Sequence, residues 1–415
     1  RVGLGLTAFA MILLPVAYFA IVIAAGYGVW VYAHVGTVVF DGSGGVIWRL
    51  VIYLAPLIAG LIIVAFMIKP LFARPARSAD SVKLDLDRQM QLRTLVAAIC
   101  RQVGAPMPVR IDLDCQVNAS ARLRRGLLSL GRRDLVLTIG LPLVGGLTAR
   151  QFAGVLAHEF GHFAQGAGMA FTFIIRSING WFARVVFERD EWDVNIHKWS
   201  REFDVRIGVI FWLARGGIWI SRKILHGLMF IGHAIACLQL RQMEFDADYY
   251  ESHVAGSDDF ATTACELRRL GAANQVALGE LGGLWNDRKL IEDFPAFVSL
   301  RRTTLSQETI GKLDAAQLTE KTRWFDTHPS DLARCTHAKA LKLAGNFRGD
   351  GPATALFDQY AKLSRLTTQH FYREHLKLDF DETALISTAI AARTTDDTNV
   401  AGAARVRRAG TTLNL

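Results

Sequence analysis

The chain has 415 residues, of which 51% are hydrophobic and 20% are charged, and its formal net charge is +9. This length permits two or three domains, and the apolar content excludes a disordered or linker-like protein. The five cysteines are scattered and include no C-x-x-C pair. That spacing argues against a disulfide framework and a cysteine-ligated zinc site, so we expect reduced thiols.

The apolar residues concentrate near the N-terminus. No Asp, Glu, Lys or Arg occurs between Arg1 and Asp41, and a second uncharged region runs from Leu50 to Ile68. Each region is long enough to cross a bilayer, which requires about 20 apolar residues. The first is too long for the apolar part of a signal peptide, which usually has about 7–15 residues. The sequence therefore predicts a transmembrane hairpin over residues 1–72.

Basic residues follow this hairpin. Between Lys69 and Arg150 there are fourteen Lys or Arg and six Asp, which together contribute +8 to the net charge. Basic residues beside a membrane span favour the cytoplasmic side and are attracted to anionic lipid. No nucleic-acid-binding motif accompanies them, so we expect the lipid bilayer as a partner and no nucleic acid.

Beyond the hairpin, the residue pattern predicts a mainly α fold with a small β-sheet. Apolar residues at helical spacing predict a helix over Ser81–Val103. Alternating and β-branched residues predict strands over Pro108–Val117 and Leu135–Ile139, separated by a basic turn over Arg122–Arg133. Thr148 begins a T-x-x-Q capping box, which predicts the start of another helix.

The second half of the chain contains further helical patterns. Two apolar regions, residues 168–187 and 207–240, are interrupted by arginines. They fit either a second membrane-spanning hairpin or a helical hairpin on the membrane surface or in water. Ser257 predicts the start of a helix that ends at Leu270, and the residues from about Thr394 onward are typical of a flexible tail.

His158, Glu159 and His162 form an H-E-x-x-H motif within a helical pattern. Positions four apart share one face of a helix, so both imidazoles can bind one metal ion, and Glu159 can take a proton from water at that ion. Catalytic zinc usually has three protein ligands. Glu244 and Asp248 also share a helix face, so one can reach the zinc while the other accepts a hydrogen bond from a ligand histidine.

Four motifs occur in order along the chain. They are Asn118-Ala119, the sequence Leu147–His162, the E-x-x-x-D sequence Glu244–Asp248, and the T-H-P-x-x-x-x-R sequence Thr327–Arg334. Together they resemble the family of integral-membrane zinc metallopeptidases that includes the HtpX heat-shock proteases and the CAAX prenyl proteases. The resemblance extends over roughly residues 93–334 and includes the order of apolar regions around the motifs.

The resemblance implies one Zn²⁺ ion per chain. His158, His162 and Glu244 would bind it, with water as the fourth ligand. Glu159 would be the general base, and Asp248 would support a ligand without touching the metal.

The remaining motifs provide candidates for contact with a substrate. His328 and Arg334 are candidates for stabilising the oxyanion or forming the active-site wall, or else they form a simple turn and salt bridge. The strand Leu135–Ile139 is either an edge strand that a peptide joins or a core strand. Asn118 either orients a peptide backbone or forms a turn. The candidate substrate-binding residues are Asn118, Leu135, Leu137 and Ile139.

We predict three domains: the hairpin over residues 1–72, a metallopeptidase domain over 73–345 with an apolar insertion over 168–240, and a helical extension with a flexible tail over 346–415. The expected protein is a zinc endopeptidase of the bacterial inner membrane, with a cytoplasmic catalytic domain, that cuts membrane-associated or misfolded proteins. The alternatives are a CAAX-type protease for lipidated substrates and a non-catalytic zinc-binding membrane scaffold. Oligomeric state and cleavage specificity stay open.

Overall fold

The computed structural model describes residues 2–42, 45–72, 81–124, 134–164, 167–187, 205–324 and 326–397. The chain divides into two compact units. The first comprises residues 1–77 and 170–240, and the second comprises residues 78–169 and 241–415. The fold is mainly α with small sheets and has two apolar N-terminal helices, which confirms the predicted fold class.

The described helices and strands are numbered in chain order, with the following bounds. The helices are α1 (Val2–Val35), α2 (Val46–Ile68), α3 (Met90–Val103), α4 (Leu141–Gly146), α5 (Ala149–Gly161), α6 (Ala167–Phe187), α7 (Val205–Ala255), α8 (Ser257–Asn286), α9 (Phe294–Thr303), α10 (Gln307–Thr319), α11 (Asp331–Leu341) and α12 (Tyr360–His370). The strands are β1 (Val82–Leu84), β2 (Arg110–Asp114), β3 (Ala119–Leu123), β4 (Leu135–Gly140), β5 (Leu290–Ile291) and β6 (Leu385–Ile386).

The first unit contains long apolar helices. Among the described residues, three helices are long and apolar enough to cross a membrane: Gly5–Asp41, Val46–Phe72 and Arg215–Ala255. Large apolar side chains on the first two face outward, since Phe9 is 60% and Ile47 is 80% exposed. Contiguous apolar surface of this kind is unfavourable in water and is accommodated by lipid.

Polar groups inside the first unit satisfy one another. The hydroxyl of Tyr18 on α1 donates to the backbone oxygen of Met67 on α2 at 2.8 Å. The same hydroxyl lies 2.7 Å from Oγ of Ser221 on α7. Buried polar groups must be hydrogen-bonded in an apolar environment, so these contacts link the three helices without leaving Tyr18 unsatisfied.

The second unit is built around a four-stranded sheet in the order β1-β2-β4-β3. β4 runs parallel to β2 and antiparallel to β3, so it has a strand on each side. Of the two alternatives for Leu135–Ile139, the structure therefore supports the core strand and excludes the edge strand. Leu135, Leu137 and Ile139 are fully buried, as their uninterrupted apolar run is typical of a central strand.

Two elements near this sheet also differ from the prediction. The helix predicted over Ser81–Val103 begins only at Met90, because residues 82–84 pair with β2 as strand β1. The sequence pattern did not reveal β3, whose last two residues fall in the predicted basic turn over Arg122–Arg133. The remainder of that turn, residues 125–133, lies outside the described residues.

The C-terminal half contains longer helices than the sequence predicted. The helix that begins at Ser257 continues to Asn286, past the predicted end at Leu270, and Gly256 is its N-cap residue. Residues 388–397 are helical and Thr395 is buried, so the first four residues of the predicted flexible tail, 394–397, are ordered. Residues 398–415 of the predicted tail lie outside the described residues.

Candidate metal centre

The helix α5 carries the H-E-x-x-H motif. Its capping box is confirmed, since Thr148 Oγ accepts from the Gln151 backbone N–H and Gln151 accepts from the Thr148 backbone N–H. Phe152, Leu156 and Phe160 of this helix are fully buried. These contacts orient α5, so that its position relative to the rest of the second unit does not depend on a bound ligand.

Two glycines let α5 approach the end of α7 closely. A Cβ at Gly154 would lie 2.9 Å from Ala255 Cβ, and one at Gly161 would lie 3.2 Å from Ala247 Cα. Residues seven apart lie on the same helix face, and His158 lies between the two glycines on that face. The spacing of Gly154 and Gly161 is thus a sequence signal for close helix packing that the sequence analysis did not use.

The close packing brings the three predicted ligands together. His158 Nε2 lies 3.6 Å from Glu244 Oε2, and His162 Nε2 lies 3.8 Å from Glu244 Oε1. One ligand atom from each residue lies within 4.8 Å of the others, and all three residues are buried. Two ligand atoms on a tetrahedral zinc ion are about 3.4 Å apart, so this set of two imidazoles and a carboxylate fits zinc.

Asp248 lies behind the candidate ligand His158. Its Oδ1 is 3.1 Å from His158 Nδ1, on the side of the ring opposite the atom that faces Glu244. Arg334 donates to both oxygens of Asp248, through Nη2 at 2.6 Å and through Nε at 3.0 Å. This arrangement orients the imidazole and leaves Nε2 directed toward a metal.

The charges around His158 and Arg334 alter how strongly both groups hold a proton. Burial lowers the pKa of His158, but hydrogen bonds to Asp248 and Glu244 outweigh it and raise the pKa to about 10. Burial also lowers the pKa of Arg334, but the hydrogen bonds and charge of Asp248 raise it above its usual value. The negative potential that favours these protonated groups equally favours a metal cation.

Glu159 and His328 lie near the ligands on different elements. The Ala121 backbone N–H of β3 donates to Glu159 Oε2 at 3.3 Å. His328 Nδ1 lies 3.4 Å from Glu244 Oε1, and its side chain is 66% exposed. His328 and Arg334 also line a polar cleft of about 860 Å³ formed by residues between 319 and 334.

The four predicted substrate-binding residues lie in or beside strands β3 and β4 of the sheet. Leu135, Leu137 and Ile139 belong to the core, as described above. Asn118 is exposed, and its backbone oxygen accepts from the Gly140 N–H at 2.8 Å, so the pair begins the β3–β4 ladder. The edge strand next to Glu159 is β3, among the strands that the structure describes.

Glu251 is a site residue that the sequence analysis missed. It is buried, and its Oε2 lies 3.6 Å from His158 Nδ1. His158, Asp248 and Glu251 place one ligand atom each within 4.8 Å of one another. An available signal was its position three residues after Asp248, which puts both acids on one face of α7.

Comparison with known proteins agrees with this geometry. Residues 87–342 match the model of peptidase family M48, which is more than half of the chain. The chain therefore belongs to peptidase family M48, a family of metallopeptidases. This confirms the family resemblance drawn from the motifs.

One curated relative is similar in sequence to part of the chain. The chain is 27% identical over 206 residues to a protein described as "Protease HtpX homolog" from Methylacidiphilum infernorum (isolate V4). The match covers 47% of this chain and 61% of the relative, so the chain spans about three fifths of that protein's length. No solved structure matches the chain.

Proposed function

We propose that this protein is a membrane-anchored zinc endopeptidase that hydrolyses peptide bonds in membrane-associated or misfolded proteins. The observation that carries the proposal is the convergence of His158, His162 and Glu244 beside Glu159. Two imidazoles and one carboxylate form the ligand set of many catalytic zinc sites, and a non-catalytic site needs no acid between its histidines.

Zinc, when bound, lowers the pKa of water and polarises the scissile carbonyl. Glu159 then accepts the proton of the attacking water and passes it to the leaving amine. His328, which is largely exposed beside Glu244, can donate a hydrogen bond to the developing oxyanion. Arg334 is directed to Asp248, so we assign it the role of holding Asp248 against His158.

The β3 strand is suited to hold the substrate backbone. In its ladder with β4, the Gly140 N–H donates to the Asn118 oxygen and the Arg124 N–H donates to the Asp134 oxygen. The backbone N–H and C=O groups of the even-numbered residues of β3 are therefore directed toward β4. In an antiparallel ladder the intervening residues direct their N–H and C=O groups to the opposite side. A peptide that pairs there would lie beside Glu159, which already contacts the Ala121 N–H.

The apolar helices support a membrane location. Basic residues after α2 favour a cytoplasmic catalytic domain by the positive-inside rule. Protein substrates at the same membrane would be favoured, because anchoring raises their effective concentration. Full-length protein in proteoliposomes should therefore cleave a co-reconstituted membrane protein faster than soluble casein at equal concentration. Equal rates would remove the preference for membrane substrates and leave the peptidase assignment intact.

The decisive experiment compares Glu159→Gln with Glu308→Gln in the full-length protein. Glu308 is an exposed acid on α10 and serves as a matched control. Glu159→Gln should retain one zinc per chain and lose about 10²–10⁴-fold in kcat, which is the usual contribution of general acid–base catalysis. The control should retain both. A chelator should abolish wild-type cleavage, and added zinc should restore it.

Two results would contradict the proposal. Unchanged cleavage by Glu159→Gln would exclude this carboxylate as the base. Zinc bound at one per chain without peptidase activity in the wild type would favour the non-catalytic scaffold.

A further inference from the structure

Glu251 is a buried acid that the proposed reaction does not use. Its residue surface is only 5% exposed, and its Oε2 lies 3.6 Å from His158 Nδ1. Asp248 Oδ1 lies 3.1 Å and Arg334 Nη2 lies 3.5 Å from the same nitrogen. Burying a carboxylate is costly unless neighbouring charge compensates it. The fold therefore holds an acid at a position where burying an apolar side chain would cost less free energy.

The helix packing provides space for this acid. Glu244, Asp248 and Glu251 lie on one face of α7, at spacings of four and three residues. On α5, a Cβ at Gly154 would lie 3.3 Å from Glu251 Cγ, so any larger residue there would press on the Glu251 side chain. The same face of α5 carries His158, one turn after Gly154. Glu251 is thus enclosed against the ligand.

A count of formal charge indicates what the acid does. With Zn²⁺ bound, Glu244 cancels one of the two positive charges of the ion. Asp248 and Arg334 form an ion pair and cancel each other. Glu159, the proposed base, supplies a second negative charge beside the ion, so the cluster is neutral before Glu251 is counted. A carboxylate at Glu251 then adds negative charge behind His158, and in a low-dielectric interior that charge favours the bound cation. The carboxylate of Glu251 is the nearest further acid that the structure places against His158.

From this geometry we propose that Glu251 is a positioning residue of the metal centre. Its carboxylate adds negative charge that favours bound zinc and, beside Asp248, flanks Nδ1 of His158 so that Nε2 stays directed toward the ion. This inference rests on the zinc site of the proposed function. It adds a second acid behind His158 whose role is to strengthen zinc binding, with no part in proton transfer.

The test is the zinc affinity of Glu251→Gln, measured on full-length protein in detergent by competition with a chromophoric chelator. The substitution keeps the shape and removes the charge. The Kd for zinc should rise about 10–100-fold, the usual effect of losing a group that supports a metal ligand. Glu308→Gln, the exposed control on α10, should leave the Kd unchanged.

Thermal unfolding of the metal-free protein separates this role from a merely structural one. An added negative charge that favours zinc predicts that metal-free Glu251→Gln unfolds at or above the wild-type temperature and gains less stability when zinc is added. An unchanged zinc Kd, or a lower Tm in the metal-free variant with the same Kd, would overturn the proposal.

Glu251→Met provides a second variant of similar volume if the Gln variant does not fold. Weaker zinc binding by folded Glu251→Met supports the proposal, and failure of both variants to fold overturns it in favour of a structural role. If the wild type binds no zinc, the proposed function itself fails. That outcome is distinct from a wild type and a Glu251→Gln variant that bind zinc equally well.

Discussion

The two units of this protein show opposite relations between polarity and exposure. In the first unit large apolar side chains face outward, and in the second unit acids and two histidines are buried around one site. Both patterns occur within the single helix α7, where Leu238 is 68% exposed and Asp248 is fully buried. Composition alone therefore does not define the environment of a helix, because the two parts of α7 have different surroundings.

The buried ion pair of the second unit gives the largest expected effect on stability. Arg334→Met removes the cation from Asp248, which is fully buried. Removing one partner of a buried pair costs about 3–5 kcal/mol when the other charge is left uncompensated, and His158, 3.1 Å from Asp248, offsets part of this cost. Lys312→Met is the control, since Lys312 and Glu308 form an exposed pair on α10 that should contribute about 1 kcal/mol or less. Chemical unfolding of metal-free protein in detergent measures both. Equal losses in the two variants would contradict the distinction between the buried and exposed pairs.

The next largest effect is expected at the exposed apolar surface of the first unit, on membrane insertion. Ile58 lies within α2 and is 46% exposed. Ile58→Arg should disfavour membrane insertion of α2 by about 2.5–3.5 kcal/mol, the cost of an arginine at the centre of a spanning helix. A glycosylation-site insertion assay in microsomes measures this change.

The matched control for this surface is Leu318→Arg in the second unit, where Leu318 is 69% exposed on α10. Exposure to water makes that substitution nearly neutral, within about 0.5 kcal/mol. If both arginines had the same effect on insertion, the apolar surface of α2 would not be a lipid-facing surface.

The close contact of α5 and α7 gives a smaller effect. Gly154→Ala places a Cβ 2.9 Å from Ala255 Cβ, and overpacking of this kind costs about 1–3 kcal/mol. The gain in helix propensity, about 1 kcal/mol, offsets part of it. Gly279→Ala in α8 has nothing within 4 Å and should be stabilising by about 0.5–1 kcal/mol. Thermal unfolding should therefore shift in opposite directions for the two variants. A stabilised Gly154→Ala would show that the helices can separate freely.

The capping box of α5 gives the smallest effect. Thr148→Ala removes the acceptor for the Gln151 N–H and should cost about 0.5–2 kcal/mol. Thr148→Ser keeps the hydroxyl and should recover most of that loss. Thermal unfolding of the metal-free proteins measures both. Equal losses for the two substitutions would assign the effect to the Thr methyl group instead of the cap.

Local spacing was enough to predict several features of this chain. His158 and His162 share a helix face because they are four residues apart, and the Thr148 capping box involves residues only three apart. The uncharged regions before Asp41 and before Lys69 gave the two N-terminal helices, because length and composition decide whether a helix can cross a bilayer. Such features depend on contacts within one helix or on the surrounding solvent.

The tertiary structure decided what depends on contacts between distant residues. Strand order placed β4 in the interior and β3 at the edge, and strand pairing is a non-local choice that the alternation of one strand does not specify. The partnership of Arg334 with Asp248, 86 residues apart, and the enclosure of Glu251 against His158 arise from helix packing. The sequence by itself thus determined the candidate ligands and the apolar helices. The packing of α5 against α7 decided which charges surround the ligands, because burial and charge pairing exist only in the folded chain.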